Sequence, residues 1–331
     1  MNYRVLGKTG MKVSRLCFGT MSFGGEADES VSGSMFHLCR EHGINFFDCA
    51  NVYQQGRAEE ILGRLIKTCR QEVVITTKVY FPTGTGINDG GSSRYHIMNA
   101  VEASLKRLAT DRIDIYFLHR FDDITPLEET LRTLDDLVRQ GKILYIGASN
   151  FSAWQTAKAL GLSAKEKLTE FCCLQPMYNL VKRQAEVEIL PMALSENLGV
   201  IPYSPLGGGL LSGKYSPSQR PDKGRLIENQ MYKTRYGNQW MLETAERFTA
   251  LAGSKNIHPA ALAVAWVASH PAVTAPIIGA RNSEQLKPLL EALDIDMTPE
   301  FRQEITLLSP EPPSPTDRNE ENTPFNYGIR E

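Results

Sequence analysis

The stretch CFGTMSFGG, residues 17–25, decides the fold. A short apolar strand, residues 16–19, runs into it, and helical periodicity resumes at Ser30. A doubly wound nucleotide-binding sheet carries G-x-G-x-x-G at this point, directly after its first strand. The glycines here stand at 19, 24 and 25 and miss that spacing. GTGINDGG (residues 84–91) and GGGLLSG (residues 207–213) miss it as well.

Outward from that stretch, short apolar runs alternate with segments of helical period. Upstream, GKTG at residues 7–10 marks a hairpin turn. Downstream, strands are expected at 45–48, 73–79, 113–119, 143–149, 170–176, 200–204 and 275–278. The intervening helices are expected at 30–41, 58–69, 95–108, 127–140, 153–160, 185–197, 241–255 and 283–293. Pro126 and Ser152 stand at helix starts, and Gly43, Gly141, Gly161 and Gly199 just past helix ends. Such alternation implies parallel strands with right-handed crossovers, and eight units close a (β/α)8 TIM barrel. The expected organisation is one barrel domain over residues 1–331 with a mobile Pro-rich tail, 310–331. Residues 81–94 and 205–239 do not fit the repeat. They follow the third and seventh strands, at the face where barrels do chemistry, and read as substrate or cofactor loops.

Composition narrows the function. The 331 residues are 42% hydrophobic and 22% charged, ordinary for a globular chain. Thirty-six basic against 38 acidic side chains give a net charge of −2, with no basic surplus for nucleic acid. The longest apolar run, residues 260–268, is too short for a bilayer, and the first residues lack a signal-peptide core. Six cysteines without C-x-x-C spacing argue against a zinc ribbon or disulfide scaffold and suit a reducing cytoplasm.

Ionisable side chains fall at the ends of strands two, three and four. Asp48 ends INFFD, Lys78 ends VVITTK and His119 ends IDIYFLH, while Tyr53 follows Asp48 by five residues. A barrel strand that closes on a charge directs it to the active face. Together the four make one chemical proposal. A carbonyl that receives hydride needs a proton, and a phenol is a weak acid at neutral pH. An ammonium beside it stabilises the phenolate, a carboxylate holds the ammonium, and a neutral histidine polarises the carbonyl. One histidine and one carboxylate are too few ligands for catalytic zinc, so no metal is expected.

FFDCANVYQQGRAEEILG (residues 46–63), ITTKV, LHRFDD, IGASNFS and IPYSPLGGGLLSGKY resemble, in order and spacing, the aldo-keto reductase superfamily. The bacterial branch related to potassium-channel β subunits is the nearest in look. The resemblance implies a nicotinamide cofactor bound without a Rossmann fold. It implies Tyr53 as general acid, Lys78 and Asp48 as the pair that sets its pKa, and His119 as carbonyl donor. Ser149, Asn150 and Gln175 then hold the carboxamide, Tyr203 stacks on the nicotinamide, and Gly19, Thr20, Met21 and Asp48 line the site near it. Ser204, Pro205, Leu206, Gly208 and Lys214 reach the pyrophosphate. After the eighth strand, Gly279, Arg281 and Gln285 reach the adenosine end. A guanidinium at Arg281 favours NADP(H), because a charge-assisted phosphate contact exists only with that cofactor.

The chain departs from its relatives at Cys49, Asn51, Pro288 and Leu289. The last two replace a Glu-Asn pair that binds adenine. His37, His42, His96, His258 and His270 are expected on the surface or at caps. The implied activity is NADPH-dependent reduction of an aldehyde or ketone, a small-molecule substrate. A cofactor-sensing binding subunit and an oxidative sugar or polyol dehydrogenase are the alternatives.

Overall fold

The computed structural model describes the chain apart from residues 217–220, 223, 317, 319, 321, 322 and 324–331. The expected tail, 310–331, falls largely outside the described residues. A hairpin of β1 (Tyr3–Val5) and β2 (Lys12–Ser14) opens the chain. Eight parallel strands follow: β3 (Cys17–Gly19), β4 (Phe46–Asp48), β5 (Val74–Val79), β6 (Ile113–Leu118), β7 (Ile143–Ser149), β8 (Phe171–Gln175), β9 (Gly199–Val200) and β10 (Ile277–Ile278). Val200 and Pro202 carbonyls accept from the Thr274, Ala275 and Ile277 amides, which joins the last two strands and closes a (β/α)8 barrel. The final two strands are shorter than expected. Pro202 and Pro276 have no N–H, so their ladders break and continue only as single bonds.

The helices among the described residues are α1 (Glu29–Glu41), α2 (Arg57–Ile66), α3 (Arg94–Leu108), α4 (Leu127–Arg139), α5 (Ala153–Glu166), α6 (Ile189–Ser195), α7 (Arg225–Glu228), α8 (Gln230–Tyr236), α9 (Gln239–Ser254), α10 (Pro259–Ala268), α11 (Ser283–Leu290) and α12 (Pro299–Thr306). Ser152 forms a capping box on α5. Four expectations need correction. Gly161 does not end α5, which runs on to Lys167 in a left-handed turn, because Gly161 faces open space and nothing there stops the helix. Gly199 begins β9, and Asn197, with φ 51°, takes the left-handed position after α6. That helix starts at Ile189 rather than Ala185, which places Pro191 in the first turn where no N–H is required. His96 is buried in the first turn of α3 with Nε2 unpartnered, and burial lowers its pKa. By contrast, His258 caps α10, His42 bonds the Leu38 carbonyl, and His37 is exposed. His270 accepts from the Ala272 amide.

Two apolar layers result. Leu6, Val13, Cys17, Phe46, Val74, Ile115, Phe117, Cys173, Ile201 and Ile277 fill the barrel interior. The larger layer lies between strands and helices. The hairpin turn seats on the N-terminal end of the barrel, where Leu6 is fully buried. Gly7 is required there: its φ is 50°, and a Cβ would lie 2.4 Å from the Cys172 carbonyl oxygen. Among the described residues no helix is long and apolar enough to cross a membrane.

Candidate active site

Strand parity assembles the site. Side chains two apart share a face. Phe46, Val74, Phe117, Cys173 and Ile201 point into the barrel, so Asp48, Lys78, His119, Gln175 and Tyr203 point the same way at its C-terminal mouth. Ser149 follows the same rule, opposite Gln175 in register. Tyr53 comes from a tight turn in which Gln54 and Gln55 take left-handed angles before α2 begins.

Lys78, fully buried, donates to Asp48 Oδ2 at 2.6 Å and to the Cys49 carbonyl at 2.7 Å. Its Nζ lies 3.4 Å from the Tyr53 hydroxyl and 5.0 Å from that ring's centre. Thr76 and Gln175 both donate to Asp48 Oδ1, at 2.6 and 2.8 Å. Thr20 Oγ1 donates to the Asp48 carbonyl at 3.0 Å. Burial works against the charge on Lys78, but the Asp48 carboxylate, with smaller contributions from Tyr53 and Cys49, holds the ammonium above the usual lysine range. Sequence reasoning expects Tyr53 to be a stronger acid than free tyrosine. The structure corrects this: burial outweighs the pull of Lys78, Asp48 opposes that pull, and the phenol is pushed up to about 12. His119 is driven down to about 3, by burial first and then by Lys78, and is neutral. Its ring stands edge-on to Tyr53 and to Phe81, with centroids 6.0 and 4.9 Å apart. His119 Nδ1 and both amide atoms of Asn51 are buried without partners.

A second group adjoins the first. Asn150, in a left-handed turn, donates to the His119 carbonyl at 2.9 Å and accepts from the Tyr203 hydroxyl at 2.7 Å. Ser149 Oγ donates to the Gln175 carbonyl. The amide and hydroxyl types suit a carboxamide, which both donates and accepts, and a ligand amide on Asn150 would replace Tyr203 there. Beyond Tyr203, Ser204 takes φ 58° and Pro205 and Leu206 lead into the glycine turn. Gly208 has φ 68° and packs under Tyr232, where a Cβ would meet that ring at 2.6 Å. The turn presents backbone rather than side chain, which fits a phosphate cradle. Lys214 is exposed beyond it.

The third group lies at strand β10. Gly279 faces the Gly19 carbonyl, Ser22 Oγ donates to the Ala280 carbonyl at 2.8 Å, and Met21 is partly exposed. Gln285, read from sequence as facing adenine, accepts from the Arg281 backbone amide at 3.2 Å. Arg281 pairs with Glu26 at 2.8 Å, and the other oxygen of Glu26 takes Arg225 at 3.1 Å. Sequence reasoning missed Thr76, Glu26 and Arg225. Thr76 was readable from strand parity, being two residues before Lys78. Glu26 lies in a loop and Arg225 opens the short helix α7, 199 residues away, and nothing local announces their meeting.

The family model of the Aldo/keto reductase family matches residues 15–309. The chain is 38% identical over 324 residues to an uncharacterized oxidoreductase YrpG of Bacillus subtilis, covering 94% of this chain and 97% of the relative. It is 38% identical over 304 residues to a probable voltage-gated potassium channel subunit beta of Arabidopsis thaliana, covering 89% and 92%. It is 32% identical over 335 residues to the versiconal hemiacetal acetate reductase of Aspergillus parasiticus, covering 91% and 94%.

Proposed function

The chain belongs to the aldo/keto reductase family, and we propose that this single barrel domain reduces aldehydes or ketones to alcohols with NADPH. The observation that carries the reading is the contact of Lys78 Nζ with Asp48 at 2.6 Å and with Tyr53 at 3.4 Å, inside a barrel mouth. NADPH, when bound, supplies hydride. Ser149, Asn150 and Gln175 would hold its carboxamide, Tyr203 its nicotinamide face, and the 204–208 turn with Lys214 its pyrophosphate. The set fits because Asn150 and Gln175 carry amide donors and acceptors beside His119 and Asp48.

The proton comes from Tyr53. With a pKa near 12 the phenol is fully protonated at neutral pH, which is the form reduction requires. As the proton leaves, the Lys78 ammonium faces the phenolate, and Asp48 with the Cys49 carbonyl keeps that ammonium in place. Neutral His119 retains one N–H for the carbonyl oxygen.

The test is NADPH consumption over a panel of aldehydes, ketones and sugars, in wild type and in Tyr53→Phe. Phe keeps the ring and deletes only the proton donor. Positioned acid catalysis contributes ~10²–10⁴-fold, so a loss of that order in kcat is expected with cofactor binding retained. A variant that keeps more than about a tenth of wild-type kcat removes Tyr53 from the role. The similarity to proteins described as channel β subunits favours a second reading, a cofactor-binding subunit. NADPH binding without turnover anywhere on the panel would support it.

A further inference from the structure

We propose that Glu26 competes with the ribose 2′-phosphate of the cofactor for Arg281 and Arg225, and thereby sets how strongly the enzyme prefers NADPH over NADH. The inference rests on the reading of Arg281 as the phosphate-binding residue. One carboxylate bridges two guanidiniums: Oε1 meets Arg281 Nη2 at 2.8 Å and Oε2 meets Arg225 Nη2 at 3.1 Å. The three side chains come from three separate segments, the loop after β3, helix α7 and the loop after β10.

Their meeting is built into the fold. Ser22 Oγ on the Ala280 carbonyl ties the first loop to the third, and Gln285 Oε1 holds the Arg281 backbone amide. Arg225 lies over the Tyr232 ring at 5.8 Å, and Tyr232 packs on Gly208 in the turn read as the pyrophosphate cradle. Two guanidiniums converging on a small planar anion form a site that a phosphate fits at least as well, since it offers three oxygens and up to two charges. One carboxylate between two cations leaves a net positive charge, which draws a dianion in. The side chains are 30–41% exposed, so each ion pair is weak and readily exchanged. A phosphate arriving at Arg281 therefore displaces Glu26 and must overcome its repulsion.

The competition predicts the opposite of what a supporting contact would. Removing the charge of Glu26 strengthens phosphate binding. The experiment is calorimetric titration of the 331-residue chain with 2′-AMP and with 5′-AMP, in wild type, Glu26→Gln, Arg281→Ala and Glu26→Gln/Arg281→Ala. Glu26→Gln should bind 2′-AMP about three- to tenfold more tightly, with 5′-AMP changed less than about twofold. The gain should shrink in the double variant, because one of the two contested guanidiniums is gone. Arg225→Gln, which leaves Arg281 in place, should weaken 2′-AMP and serves if Glu26→Gln does not fold. Unchanged or weaker 2′-AMP binding in Glu26→Gln, with Arg281→Ala still weakened, overturns the competition and leaves Glu26 a strap between loops. Unchanged 2′-AMP binding in Arg281→Ala instead removes the phosphate reading itself, and the competition with it.

Discussion

Tyr53 meets opposing influences within a few ångströms, and their balance sets its pKa. Burial raises its pKa to about 12, while Lys78 pulls it down and Asp48 resists that pull. Lys78→Met removes the only ammonium beside Tyr53 among the described residues, so the phenol should become a still weaker acid. Reduction should lose rate at neutral pH, and the alkaline limb of alcohol oxidation, which needs phenolate, should move further up. Asp48→Asn should move the limb the other way, since it deletes the charge that opposes the pull of Lys78 and leaves the ammonium in place. A pH profile of kcat/KM for oxidation in the three proteins checks this, and a limb that stays put in Lys78→Met with activity kept would detach Lys78 from Tyr53. His119 makes a second prediction. An ordinary histidine changes charge near 6.5, but this one is neutral down to about 3. Reduction should therefore show no limb between about pH 5 and 8 traceable to His119, measured as kcat/KM for an aldehyde. The identities of these residues were legible in the sequence, because a charge at the end of an apolar strand is expensive unless used. The rise in the pKa of Tyr53 was not. Desolvation depends on what packs around the phenol, and the sequence does not state that.

Strand β5 shows how an element carries a site on one face and a support on the other. Val74, Thr76 and Lys78 face the interior, while Thr77 turns outward and donates to Glu59 of α2 at 2.5 Å. Glu59 is fully buried, and Arg107 of α3 donates to its other oxygen at 2.6 Å. Arg107→Ala would leave that carboxylate buried without its cation, at a cost of roughly 3–5 kcal/mol. Urea unfolding should register that loss, and Glu59→Gln/Arg107→Ala should recover part of it by removing the unpaired charge. A loss under about 1 kcal/mol would mean that water reaches Glu59 when Arg107 is gone. The support was not foreseen, although Thr77 and Glu59 were in plain view, because pairing across β5, α2 and α3 has no period along the chain. Helix α10 was missed for a related reason. It is buried on all sides and apolar all round, so it lacks the polar face that reveals a surface helix. Helices α7 and α8 were missed because they are short pieces within a segment read as a loop.

The barrel separates stability from chemistry along its axis. The hairpin closes the N-terminal end, and every candidate catalytic residue stands at the other. Gly7→Ala puts a Cβ within 2.4 Å of backbone at a φ of 50°, so the hairpin must shift or unseat. Stability should fall by about 2 kcal/mol or more, read as a lower Tm, while kcat of the folded fraction stays near wild type. A large fall in kcat at unchanged Tm would show that the two ends are coupled. The sequence alone determined the alternation of strands and helices, the eightfold count that closes the barrel, and the residues standing at strand ends. These follow from local periodicity, from glycine spacing and from the two-residue repeat of a strand, all of which are properties of neighbours in the chain. Tertiary structure alone decided that Tyr53 is a weaker acid than free tyrosine, that His96 is inside, and that Glu26 lies between Arg281 and Arg225. Each of these depends on desolvation or on charges brought together from distant segments, and only the folded chain sets those distances.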